Sequence, residues 1–179
     1  MTMTHIKRMI FVLIGLSVAT IIFIIAKTDN ASGAKTDGKK FGDWVVSCTT
    51  ADEKAKTSET CLLSQQIDLT QDDKKRPIAL FQIGYFGPQK ELKIVETLPL
   101  GVRLDAGTSI ISSKNLVANG KYVTCLETGC QAVAVISDGD LKLILSNVEN
   151  SIAFMNIEGK QLSLPLSVKG LKEGLDYIK

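Results

Sequence analysis

The chain has 179 residues, 45% of them hydrophobic, 6% aromatic and 22% charged, with a formal net charge of +2 and one histidine. That charge belongs to the N-terminal end: setting apart Lys7, Arg8 and Lys27 on the basic side and Asp29 on the acidic side leaves 18 basic and 18 acidic residues from Lys35 onward. A neutral body whose only arginines are Arg76 and Arg103 lacks the basic stripe and stacking aromatics of a nucleic-acid groove. His5 precedes the apolar leader, so histidine-based acid–base and nucleophilic chemistry is excluded from the body.

The leader comes first. Met9 to Ala26 is an uncharged run of eighteen residues, longer than the roughly 7–15 of a signal-peptide core and at the lower edge of a spanning helix of about 20. Residues 1–26 therefore read as a signal peptide or an N-terminal membrane anchor, with Ala31 and Gly33 offering a small-x-small cleavage site. Lys7 and Arg8 hold the cytoplasmic side, so the rest of the chain is exported to the periplasm or cell envelope. It is anchored in the inner membrane through residues 9–26 if uncut, and released if cut. KTDNASGAKTDGKK, residues 27–40, reads as a flexible linker. Residues 41–179 have the length of one domain.

Within that domain, WVVSC, CLLSQQI, IALFQIGY, ELKIVET, SIIS, KYVTCL, CQAVAVI, SIAFMNI and QLSLPL read in order as short strands, separated by turn chemistry such as GPQK, DAGT, ANG and EGK. The DDKKR run, residues 72–76, reads as a solvated hairpin tip. In ELKIVET, Leu92 and Ile94 share one face and Glu91 and Lys93 the other. After Ser137 and Asp138, candidate N-caps, DLKLILSNV places Leu141, Ile144, Leu145 and Val148 on one helical stripe. VKGLKEGLDYI repeats the spacing with Val168, Leu171, Leu175 and Ile178, and Gly170 and Gly174 weaken that helix by about 1 kcal/mol each relative to alanine. Together these predict a mainly β fold, an antiparallel sandwich or partly open barrel with one or two short helices, one of them C-terminal.

Cys48, Cys61, Cys125 and Cys130 are spaced C-x12-C and C-x4-C. With no imidazole available, neither spacing suits zinc, and C-x4-C between strands lacks the helix N-terminus of a redox pair. Three pairings remain possible. Closeness in sequence and the polar inserts between the apolar runs favour Cys48 with Cys61 and Cys125 with Cys130, and Gly129 helps the short loop close. No metal or other cofactor is expected.

Trp44 reads as a core anchor near Cys48 rather than a ligand platform. Pro99 and Pro165 cannot donate to a central ladder and mark strand ends or edges, with Gly101 and Gly170 turning the chain soon after. Asp43, Glu96 and Arg103 are candidates for a polar cluster, but read more simply as a surface ion pair worth little in energy. A carboxylate-dependent hydrolase would use Asp138 with Asp140, or Asp43 with Glu96; SDGD reads more simply as a turn into a helix cap.

FGDWVVSC (41–48), CLLSQ (61–65), TLPLGVRL (97–104), CLETGCQA (125–132) and LSLPLSVKGL (162–171) occur in an order and spacing that resembles the invasion-associated locus B family of exported bacterial proteins. The resemblance implies a secreted, periplasmic or envelope-attached β-rich protein with no established enzymatic activity. It would act by binding a protein partner in the bacterial envelope or on a host cell, during invasion or virulence. A periplasmic assembly or chaperone role is the alternative. The long hydrophobic leader departs from the plainly cleavable signal commoner in the family.

Overall fold

The computed structural model describes residues 35–49 and 60–179. The reading of residues 1–26 as signal or anchor, the proposed cleavage site and most of the insert between Cys48 and Cys61 lie outside them.

Period-two alternation builds the sheet. Strand β1 (Lys40–Phe41) leads into β2 (Trp44–Thr49), which buries Trp44 and Val46. Strand β3 (Thr60–Gln71) buries Cys61, Leu63, Gln65 and Ile67, and β4 (Lys74–Phe86) buries Ala79, Phe81 and Ile83. In β5 (Glu91–Leu98) every second side chain from Leu92 to Leu98 is inward. A short 3-10 turn (Leu104–Ala106) precedes β6 (Thr108–Ser112), β7 (Asn115–Leu126) and β8 (Gly129–Val135). Helix α1 (Asp138–Ser146), strands β9 (Asn150–Met155) and β10 (Gln161–Pro165), and helix α2 (Leu171–Ile178) complete the chain.

The strands form one open, antiparallel ten-stranded sheet in the order β1-β2-β3-β4-β5-β8-β7-β6-β9-β10. All nine runs read as strands are present; β1, two residues long, carries no periodic signal and was not expected. The β3–β4 turn places Asp72 and Asp73 at positive φ on an exposed tip. Long β7 is shared: Asn115–Gly120 pairs with β6 and Lys121–Leu126 with β8.

The segment after β10 reaches across to the other end of the sheet. Leu166 donates its backbone N–H to the Asn150 carbonyl at 2.9 Å, and Ser167 donates its own to Gln65 Oε1 at 3.1 Å. Trp44 Nε1 donates to the Ser167 carbonyl at 2.9 Å and Asp43 N–H to the Lys169 carbonyl at 3.1 Å. Helix α2 then buries Leu171, Leu175 and Ile178. Gly174 makes the close approach there: a Cβ on it would stand 2.7 Å from Leu63 Cδ1, so the helix rides directly over a core leucine.

Three local expectations change. Gly170 is not inside the helix but is its N-cap, at φ 80°, with its Cα against the Phe41 carbonyl. Helix α1 ends at Ser146, so Val148 lies beyond it and is exposed; a capping box between Ser137 and Asp140 starts the helix, and Ile144 alone is fully buried. The end of the predicted linker belongs to the domain. Thr36 N–H donates to the Tyr177 hydroxyl at 2.8 Å, Asp37 Oδ1 accepts from Cys48 N–H at 2.9 Å, and Lys35 Nζ donates to the Ile178 and Lys179 carbonyls.

Candidate functional site

The hairpin tip CLETGC is closed by a Cys125–Cys130 bond, and a Cys48–Cys61 bond joins β2 to β3. In both cases the two cysteines face each other directly across an antiparallel pair, with Cα atoms 4.0 Å apart. Gly129 adopts φ 139°, and a Cβ there would fall 2.4 Å from the Leu98 carbonyl oxygen, so the clasped tip lies flat on the end of β5. Pro99 follows β5 directly, and Gly101, at φ 88°, accepts the Ile157 N–H at 2.9 Å. Pro165 closes β10, an edge strand.

Several apolar side chains on and near β7 and the 3-10 turn stay in solvent, among other exposed apolar residues. Leu100, Leu104, Leu116, Val123 and Leu126 are each more than half exposed. The 3-10 turn lies between two clefts: one of about 220 Å³ lined by Leu104, Tyr122, Val123, Thr124 and Cys125, the other of about 370 Å³ reached from Ala106 and Gly107 and walled by Ile111, Leu116 and Met155. Arg103 and Asp105 form an exposed ion pair of 2.6 Å at the turn, worth little in energy but able to orient a polar rim.

Inside the sheet lies Glu96, with 0% of its surface exposed. It stands opposite Phe81 of β4 and Ala132 of β8, and Ala132 in turn stands opposite Tyr122 of β7, so Glu96 and Tyr122 flank one small residue on a single cross-sheet row. Thr108 of β6 closes the group from the far side. A Cβ on its partner Gly120 would lie 2.1 Å from Thr108 Oγ1 and 3.5 Å from Glu96 Oε2, so only glycine leaves room there. Neither Glu96 oxygen, nor Thr108 Oγ1, nor the Tyr122 hydroxyl has a hydrogen bond of good geometry among the described residues. Burial pushes the Glu96 carboxyl up to about 7, opposed more weakly by the adjacent Thr108 hydroxyl. Burial first, and the Glu96 charge second, push the Tyr122 phenol up to about 12.

Glu96 is thus not the surface ion expected from sequence. The alternation Leu92, Ile94, Glu96, Leu98, carried two residues further, was the signal for it. Two of the carboxylates named from sequence have other partners. Asp140 accepts from Ser137 N–H and Oγ within the helix cap, and Asp43 accepts from Ser167 Oγ at 2.7 Å on the exposed β1–β2 turn. Trp44 is fully buried at the foot of the C-terminal segment. Among the described residues no group of three or more His, Cys, Asp or Glu side chains is placed to hold a metal ion, and no helix is long and apolar enough to cross a membrane.

The family model described as invasion associated locus B protein matches residues 44–179. The chain belongs to the invasion associated locus B family. A crystal structure of invasion associated protein B from Bartonella henselae superposes with a TM-score of 0.65 at 14% identity, covering 78% of this chain and 92% of that one. None of the curated proteins compared with the chain matches it. The invasion associated locus B fold is therefore retained over a sequence that has largely diverged. Two disulfides within it are bonds that an oxidising, exported environment sustains.

Proposed function

We propose that this member of the family is a non-catalytic envelope protein that binds a protein partner through the apolar surface around Leu104–Ala106, in the service of host-cell invasion. The observation that carries the reading is the exposed set Leu100, Leu104, Leu116, Val123 and Leu126, set beside two clefts and a charged rim. An apolar centre with a polar edge is the anatomy of a protein interface. Its clasped hairpin tip keeps that surface in one shape, which lowers the ordering cost of binding. Among the described residues the one carboxyl raised to about 7, Glu96, is sealed from solvent.

A second reading, periplasmic assembly or chaperoning, is favoured by where the body begins. Because Lys35 to Gly38 are bonded to the domain, only residues 27–34 separate it from the apolar leader, and eight residues span at most about 28 Å. An uncut leader would hold the surface near the inner membrane, within reach of periplasmic partners and not of a host cell. A cut near Gly33 frees it.

A pull-down with the exported body from bacterial envelope extract and from host-cell surface extract separates the readings. Direct invasion function predicts a partner from the host extract that a Leu104→Asp, Val123→Asp variant fails to recover. A partner found only in the bacterial envelope supports the second reading. Undiminished recovery by the variant overturns the assigned surface.

A further inference from the structure

The buried group sits at a crossing. Strand β7 leaves β8 and joins β6 between Lys121 and Gly120, next to the register shift between Tyr122 and Thr124. Glu96, on β5, therefore acts on both parts of the sheet: across Ala132 its charge bears on Tyr122, from the stretch paired to β8, and it meets Thr108, from the strand paired to β9. We propose that Glu96 is a pH-sensitive seam, which holds the two parts together while its carboxyl is neutral and loosens the β6–β7 side when it ionises.

The geometry supplies the reasons. A carboxylate with no exposed surface, faced by a single neutral hydroxyl from Thr108, carries a desolvation cost that this one contact offsets only in part and that a neutral acid largely avoids. Among the described residues none of its neighbours carries a countercharge. From β4 it meets Phe81, from β8 Ala132, from β6 Thr108, and from β7 Gly120 and Tyr122; of these only the phenol titrates, and it does so far above the carboxyl. An ionised Glu96 must gain water, and its neighbours border the two clefts. Tyr122 lines the smaller cleft, and Thr108 follows Ala106 and Gly107, which line the larger one. Opening the seam would thus reshape the exposed surface from below. Burial already sets the carboxyl near neutrality, so the change falls between mildly acidic and mildly alkaline pH. The inference rests on the interior packing and holds whatever partner the surface takes.

Hydrogen exchange on the full chain tests it, with rates corrected for the intrinsic effect of pH. Protection of the amides in Thr108–Ser112 and Asn115–Gly120 is expected to fall about ten-fold or more from pH 6 to 8.5, while β3 and β4 change less, and the Glu96→Gln chain should show no such local loss. A fall of the same size in both chains, or one spread evenly over β3 and β4, overturns the seam. Should the Gln variant not fold, carbon NMR of the wild-type carboxyl decides: a midpoint near 7 with coupled shifts at the Thr108 and Gly120 amides supports the seam, and an ordinary midpoint near 4.5 overturns it.

Discussion

A glutamate on the inward face of a strand and a glycine inside a helix show how far single residues can be read. Glu96 keeps its proton up to about pH 7 in the fold, whereas the ordinary value is 4.5. Between those values the folded chain binds more protons than the unfolded one, so stability falls as pH rises through that window and levels off above it. The full difference is about 3 kcal/mol. Urea midpoints at pH 5 and pH 8 should therefore differ in the wild type and nearly coincide in Glu96→Gln. Gly174 makes the opposite point about propensity. Alanine in a helix ordinarily gains about 1 kcal/mol over glycine, but here its Cβ would press on Leu63, which is fully buried. Gly174→Ala is expected to lower stability by about 1–2 kcal/mol through overpacking; a raised thermal midpoint would show that α2 can shift outward at no cost. Sequence alone assigns both residues by local rules and misjudges them. In each case the deciding atom comes from an element distant in the chain.

At the scale of elements, alternation and turn chemistry locate nine strands because a half-buried strand writes its face into the sequence every second residue. Strand β1 escapes because two residues hold no period. Helix α1 is legible at its start, where Ser137 and Asp140 cap each other, and less so at its end, where Val148 keeps helical spacing but lies past the last turn. The CLETGC clasp is an element whose cost can be stated. Replacing Cys125 and Cys130 together by serine should lose about 2 kcal/mol and leave a folded chain, since β7 and β8 stay paired through Lys121–Thr124 and Gln131–Val133. Near-ultraviolet circular dichroism that retained the Trp44 signal would agree, and its loss would show the clasp to be essential. The C-terminal segment should matter more. Its hydrogen bonds to Trp44 and Gln65 and the burial of Leu171, Leu175 and Ile178 join the ends of the sheet. Ending the chain at Lys169 is expected to abolish cooperative unfolding.

For the molecule as a whole, the fold and the family motifs were legible, while the candidate surface was not. The motifs FGDW, LPLGV, CLETGC and LPLSVKG report backbone requirements: a buried indole, strand ends, a clasped turn and a left-handed cap. The surface depends instead on register, which brings the clasped tip against Leu98, and on the crossing of β7, which sets Val123 beside Leu104. Neither follows from spacing along the chain. A photo-reactive side chain at Val123 in the full chain, made in the living cell, tests that surface most directly, with Thr70 on the exposed β3–β4 hairpin as the control. The account predicts one specific crosslinked protein from Val123 and none from Thr70; equal crosslinking from both, or crosslinking from Thr70 alone, would contradict it.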